Sequence, residues 1–224
     1  MLYYFYKWGE TSMEIFIFSN ICPQNSEKCL AQNFRLWYDM LDESKRLRYI
    51  SAKSDKVKRQ IVLSDMIARL VVSRGTGVPR EKVVFSHSSH GKPFIANSDF
   101  HFNISHSGDY IVACADSDIC GIDIEVPRAV NLKSAKRFCC AEELEYINNS
   151  KNRSSAFLYI WTRKEAYFKA LGCGISAVMS AVNVLHEPYL HTIKTESYTL
   201  SVYSKNIERG IDTYAIVGKL CKKI

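Results

Sequence analysis

The five residues Gly121-Ile122-Asp123-Ile124-Glu125 constrain the fold of this chain more than any other stretch. Apolar and acidic side chains alternate with a period of two, which an extended strand reads as one buried face and one polar face. Ile122 and Ile124 are expected to face a core. Asp123 and Glu125 then project side by side, with Cα atoms roughly 6.5–7 Å apart. Two carboxylates so placed are hard oxygen donors suited to Mg2+, which keeps several waters and takes other ligands from substrate phosphates. Taken alone, the pattern is more ordinary as the solvent-facing edge of a half-buried strand.

The rest of the chain alternates short strands with helical stretches. Met13–Phe18 reads as a strand, followed by a loop with Cys22, Pro23 and Cys29. From about Asn33 to Ser73 the pattern is helical and charged, with Asp42 or Ser44 as a cap and an apolar stripe of Ile61, Met66, Leu70 and Val71. Gly75, Gly77 and Pro79 are expected to end it. Lys82–Ser86 and Pro93–Ala96 read as short strands, and Phe100, Phe102 and Ile104 alternate. Tyr110–Ala115 and Cys120–Glu125, joined by Asp116, Ser117 and Asp118, carry a hairpin signal. Helices are expected over Val130–Asn148 and Ser155–Leu171, the second closed by Gly172. Tyr198–Tyr203 and Thr213–Val217 return to strand. Without a repeat, a low-complexity tract or a linker, the reading is α+β: two halves packed together, residues 1–109 and 110–224.

A net charge of +7 points to an anionic partner without naming the anion. Lys45, Arg46, Arg48, Lys53, Lys56, Lys58 and Arg59 crowd one short stretch, which serves equally as a solvated helix face. None of the eight cysteines forms a C-x-x-C pair, and no histidine cluster accompanies them at zinc spacing. The aromatic opening, broken by Lys7, Glu10 and Glu14, is neither a signal peptide nor a membrane span. A reduced, cytoplasmic protein is expected.

The second informative stretch is Trp161-Thr162-Arg163-Lys164-Glu165-Ala166-Tyr167-Phe168-Lys169-Ala170-Leu171-Gly172. Glu165 and Lys169, four apart, share a helix face. The ordinary reading is a surface pair contributing a few tenths of a kcal/mol. The alternative gives a metal ion a third carboxylate and sets a cation beside a phosphate.

The strand and helix together, with Gly91-Lys92-Pro93 and Phe102-Asn103-Ile104-Ser105-His106-Ser107 upstream, resemble the signature of the 4′-phosphopantetheinyl transferase superfamily. The resemblance runs from about Lys45 to Ser176 and is to the long type named after the surfactin-synthetase activator (Sfp-like). It implies a monomeric pseudo-dimer of two similar α+β halves with the active site at their interface. No internal duplication is visible in the residues themselves. It also implies transfer of the phosphopantetheine arm of coenzyme A to a serine of an acidic acyl or peptidyl carrier protein, releasing 3′,5′-ADP. Asp123, Glu125 and Glu165 would hold Mg2+, Glu165 would be the general base, and Lys169 would neutralise the leaving phosphate. Lys92, Ser105 and His106 would contact the phosphates of coenzyme A. Lys45 and Arg59 would contact its 3′-phosphate or adenine, with Lys58 an alternative to Arg59, and Arg46 or Arg48 alternatives to Lys45. No nucleic-acid or membrane partner is expected. Two rival readings use the same residues: another Mg2+-dependent phosphate enzyme such as a nuclease, and a non-catalytic coenzyme A-binding protein.

Overall fold

The computed structural model of the chain describes residues 13–19, 33–174 and 177–215. The aromatic opening, the Cys22–Cys29 loop, Cys221 and the end of the last expected strand lie outside the described residues. Strands and helices mix throughout, as α+β requires. A four-stranded sheet has the order β4-β5-β1-β9, built from β1 (Met13–Ser19), β4 (His101–Ser107), β5 (Tyr110–Asp116) and β9 (Ile211–Ala215). In it β1 runs antiparallel to β5 and parallel to β9. A second sheet has the order β6-β8-β7, from β6 (Cys120–Glu125), β7 (Leu190–Lys194) and β8 (Thr199–Ser204). The residue pairs Ser86–His87 (β2) and Pro93–Phe94 (β3) make a small ribbon, shorter than the strands expected there.

Helix boundaries follow their caps. The expected helix over 33–73 is three pieces: residues 33–39, α1 (Glu43–Ser51) and α2 (Asp55–Thr76). Asp42 breaks the run by accepting a hydrogen bond from the Lys45 N–H at 2.8 Å, satisfying an amide that the first turn leaves without a partner. The expected helix Val130–Asn148 also breaks, at Cys139-Cys140, between α3 (Ala135–Phe138) and α4 (Ala141–Asn149). There the Glu143 carboxylate accepts from the Cys140 N–H at 2.9 Å, half of a capping box. The long helix α5 (Arg153–Leu171) starts at Asn152 and closes at Gly172, whose φ of 71° is the left-handed conformation that glycine adopts without a Cβ penalty.

Three apolar clusters form the interior. One packs α2 through Val62, Leu63, Met66 and Val71 onto Phe16, Phe18, Phe102 and Ile111. Another gathers α4 and α5 around Ile147, Phe157 and Ile160. The third joins the sheets: Met13, Ile15, Val112 and Cys114 of the first meet Cys120, Ile122, Ile124, Leu200 and Val202 of the second. Ile122 and Ile124 thus face a core, as the alternation predicts.

The hairpin expected between Tyr110 and Glu125 does not form. Both edges of β5 are taken, by β4 and β1, so β6 finds its partner in β8 of the other sheet. Buried Asp116 fixes the crossing, accepting from Ser204 Oγ at 2.5 Å and Asn206 Nδ2 at 2.8 Å. A division of the chain after residue 109 would cut the β4–β5 hairpin, whose register pairs Ser107 with Tyr110.

Candidate active site

Gly121 sets the distance between the two motifs. A Cβ there would lie 2.0 Å from the Ala166 carbonyl oxygen and 2.5 Å from the Ala170 nitrogen. Glycine on the strand and two alanines on the helix therefore let α5 lie directly on β6. That contact puts Glu165 and Lys169, which flank these alanines, against the acidic end of the strand.

Lys169 Nζ donates to Asp123 Oδ1 at 2.5 Å, to Ser105 Oγ at 3.0 Å and to the Ile122 carbonyl at 3.4 Å. Ser105 Oγ donates to the same Asp123 oxygen at 2.7 Å. Glu125 accepts from Ser107 Oγ at 3.1 Å and from Arg128 Nη2 at 3.3 Å. Glu165 has no hydrogen-bond partner among the described residues, although its side chain is largely buried. Burial raises its carboxyl to about 7; the Lys169 charge opposes that rise, while the negative charges of Asp123 and Glu125 add to it. Burial also pushes Asp123 upward against the pull of Lys169 and Ser105.

Among the described residues no three His, Cys, Asp or Glu side chains form a closed ligand cluster. The expected trio shares one electrostatic neighbourhood, with Lys169 seated on Asp123 and Arg128 on Glu125. Its chemistry nonetheless suits a hard divalent cation: every donor is a carboxylate oxygen, and the acid that has no partner is raised by burial and further by the charges of the other two.

The remaining expected residues divide. His106 is exposed as a residue near the end of β4, but partial burial of its ring pushes the imidazole below the ordinary value; the Lys169 and Arg48 charges act the same way and the Asp123 charge opposes them. Arg48, exposed on α1, is near enough for its charge to bear on His106. Lys45 is engaged elsewhere: its ammonium lies 2.6 Å from Asp65 Oδ1 and over the Phe85 ring, inside a network closed by Arg69. Arg59 is exposed on α2. Lys92 turns inward, donating to the carbonyls of Cys120 at 3.2 Å and Ala170 at 3.0 Å, and burial lowers its pKa. It ties the Gly91-Lys92-Pro93 turn to the start of β6 and the last turn of α5, where a cation complements the helix dipole.

Sequence reasoning passed over Lys164, Arg163, Asn103, Ser107 and Arg128. Lys164 is fully buried and pairs with Glu143 at 2.8 Å, so its place in the motif is structural. Asn103 and Ser107 were visible only as parts of a motif; that they face β6 was hidden until β4 and β6 were seen side by side.

Comparison with known proteins meets this geometry. The profile of the 4′-phosphopantetheinyl transferase superfamily matches residues 119–216, and that of the N-terminal part of 4′-phosphopantetheinyl transferases matches residues 27–118. The chain is 30% identical over 194 residues to the 4′-phosphopantetheinyl transferase Sfp of Bacillus subtilis, covering 85% of this chain and 78% of that protein. This chain belongs to the 4′-phosphopantetheinyl transferase superfamily. The transferase is also 30% identical to ffp of Bacillus subtilis, over 75% of this chain and 81% of that protein. With psf-1 of Bacillus pumilus it shares 33% identity over 126 residues, an alignment spanning 55% of this chain and only 54% of the relative. These relatives are named as phosphopantetheinyl transferases, so the readings as a nuclease or a non-catalytic binder are not favoured. No described helix of this phosphopantetheinyl transferase is long and apolar enough to cross a membrane.

Proposed function

We infer that this transferase moves the phosphopantetheine arm of coenzyme A onto the serine of an acidic acyl or peptidyl carrier protein, at a site formed by β4, β6 and α5. The carrying observation is the meeting of Lys169 with Asp123 beside a buried Glu165 that has no partner. The serine oxygen attacks the phosphorus bearing the arm, the bond to the nucleotide oxygen breaks, and 3′,5′-ADP leaves. Such a reaction asks for positioning and charge neutralisation more than for covalent help. Glu165 is placed to accept the serine proton; burial raises its carboxyl to about 7 in the metal-free site, a rise that a bound Mg2+ would oppose. Lys169 sits as a point charge that exchanges its bond to Asp123 for the phosphate. His106 near the end of β4, with the Arg48 charge close enough to bear on it, suits the phosphates.

Mg2+ would be held by Asp123, Glu125 and Glu165 and would neutralise charge on the pyrophosphate oxygens. The two matched segments abut between residues 118 and 119, which supports a chain of two α+β halves; the reading adds that the halves are similar, form a monomer and hold the site between them. Cys114, Cys120, Cys139, Cys140 and Cys173 are free, consistent with a reducing cytoplasm. Incubation with coenzyme A, Mg2+ and a panel of apo carrier proteins tests the reading by intact mass. A carrier serine gaining one phosphopantetheine group supports it; no gain on fatty-acid, polyketide and peptide carriers alike contradicts it.

A further inference from the structure

Strand β6 is paired with β8 along one edge only, and its other edge faces β4 of the neighbouring sheet. An edge amide away from water needs an acceptor, or the strand loses a hydrogen bond's worth of stability for each. Here the acceptors are side chains. Asn103 Oδ1 accepts from the buried Ile122 N–H at 3.0 Å, and Ser107 Oγ accepts from the Val126 N–H at 3.1 Å. Between them Ser105 Oγ donates to Asp123 and Ser107 Oγ donates to Glu125. The last two pairs are each 18 residues apart, a constant offset that means β4 and β6 run parallel and in register. Residues 103, 105 and 107 share one face of β4, since side chains two apart point the same way. The opposite face, with Phe102 and Ile104, goes to the core packed under α2.

We propose that Asn103 and Ser107 are positioning residues that set the register of β6 and the orientation of Glu125, so that both strand carboxylates face Glu165 and Lys169. A side-chain ladder joins the sheets here in place of a backbone ladder. A backbone ladder would fix the strand but leave the carboxylates free to rotate. Ser107 does both, because one hydroxyl accepts from the Val126 amide while its proton goes to Glu125. Asn103 acts only on the backbone, and its neighbour Phe102 locks β4 from behind.

This rests on the transferase reading above, and the test separates the two. Binding of Mn2+ to the full chain with coenzyme A present is followed by electron paramagnetic resonance for wild type, Ser107→Ala and Ser107→Thr. Amide exchange at Ile122 and Val126 is measured for these proteins and for Asn103→Ala. Ser107→Ala is expected to weaken Mn2+ binding about 10- to 100-fold, as loss of a ligand-orienting bond does, and to lower kcat while the KM for coenzyme A stays. Ser107→Thr keeps the hydroxyl on a side chain that suits a strand and restores most of the affinity. Val126 loses protection in Ser107→Ala, and Ile122 in Asn103→Ala. Wild-type Mn2+ affinity together with unchanged exchange in the alanine variants overturns the proposal. If wild type neither binds Mn2+ nor modifies a carrier, the functional reading fails; the exchange data then decide the register claim alone, upheld by lost protection and overturned by its retention.

Discussion

Among the described residues, two buried charge clusters are closed and one is open. In the first half, Asp65 accepts from Lys45 and from Arg69, both at 2.6 Å, and Arg69 gives its other N–H groups to the carbonyls of Met40, Val83 and Arg80. In the second, Glu143 and Lys164 pair at 0% exposure; Lys164 also donates to Met179 and Val182, and Glu143 accepts from Cys140 and Val184. Each of these clusters answers its negative charge and leaves no group waiting. At the end of β6, Asp123, Glu125 and Glu165 face Lys169 and a half-exposed Arg128, and Glu165 has no hydrogen bond among the described residues. Burial of an unpaired carboxylate is costly, and its raised pKa registers that cost. Closed networks hold the fold, and the open one leaves negative charge that the proposed Mg2+ would answer.

Removing a member tells the two kinds apart. Asp123→Ala should cut transfer by about 10³- to 10⁴-fold while the protein stays folded, because Asp123 would hold the metal ion the reaction uses and its partner Lys169 is partly exposed, so no fully buried ammonium is stranded. Steady-state transfer beside a thermal melt checks this; a loss under tenfold would break the distinction. Glu143→Ala should do the reverse and destabilise by about 3–5 kcal/mol, since it strands a fully buried ammonium. Urea unfolding reads that value, and a change under about 1 kcal/mol would place this pair among the unimportant ones.

Glu165→Gln sharpens the contrast through pH. The wild-type carboxyl holds its proton to about 7 when folded but releases it near the ordinary 4.5 when unfolded. Its contribution to stability is full below pH 4.5 and is lost as pH rises through about 7. The glutamine variant, uncharged throughout, should therefore be more stable than wild type at pH 8 by about 1–3 kcal/mol, equal to it near pH 4, and inactive. Equal stability at both pH values would deny the raised pKa. The smallest effect is expected on α1: Arg48→Ala should raise the KM for coenzyme A about fivefold, near 1 kcal/mol, with little change in melting temperature. Lys45→Met should lower the melting temperature instead, because Lys45 belongs to a closed cluster. Matching effects in these two variants would erase the assignment.

Much of this was legible in the sequence, and the rest was hidden for identifiable reasons. Period-two alternation gave β6 its buried isoleucines and its acidic face, and i, i+4 spacing gave Glu165 and Lys169 a shared face. Gly121, Ala166 and Ala170 carried the close approach of helix to strand, though nothing in a linear reading pairs them. The Lys45–Asp65 pair was hidden because a lysine in a basic run reads the same whether or not a buried aspartate twenty residues later claims it. The inward turn of Lys92 was hidden in the same way, since its partners are backbone carbonyls that every residue possesses. The hairpin signal at Asp116-Ser117-Asp118 was local, while the pairing of β5 on both edges is a long-range fact. Asn103 and Ser107 act on a strand whose position beside them only the fold reveals.

The most direct test of the open cluster is anomalous scattering from a crystal grown with Mn2+ and coenzyme A. A single strong peak ligated by Asp123, Glu125 and Glu165, with Lys169 Nζ moved from Asp123 onto a phosphate oxygen, is the predicted result. A peak remote from these carboxylates, or Lys169 still bound to Asp123 with coenzyme A in place, would contradict it.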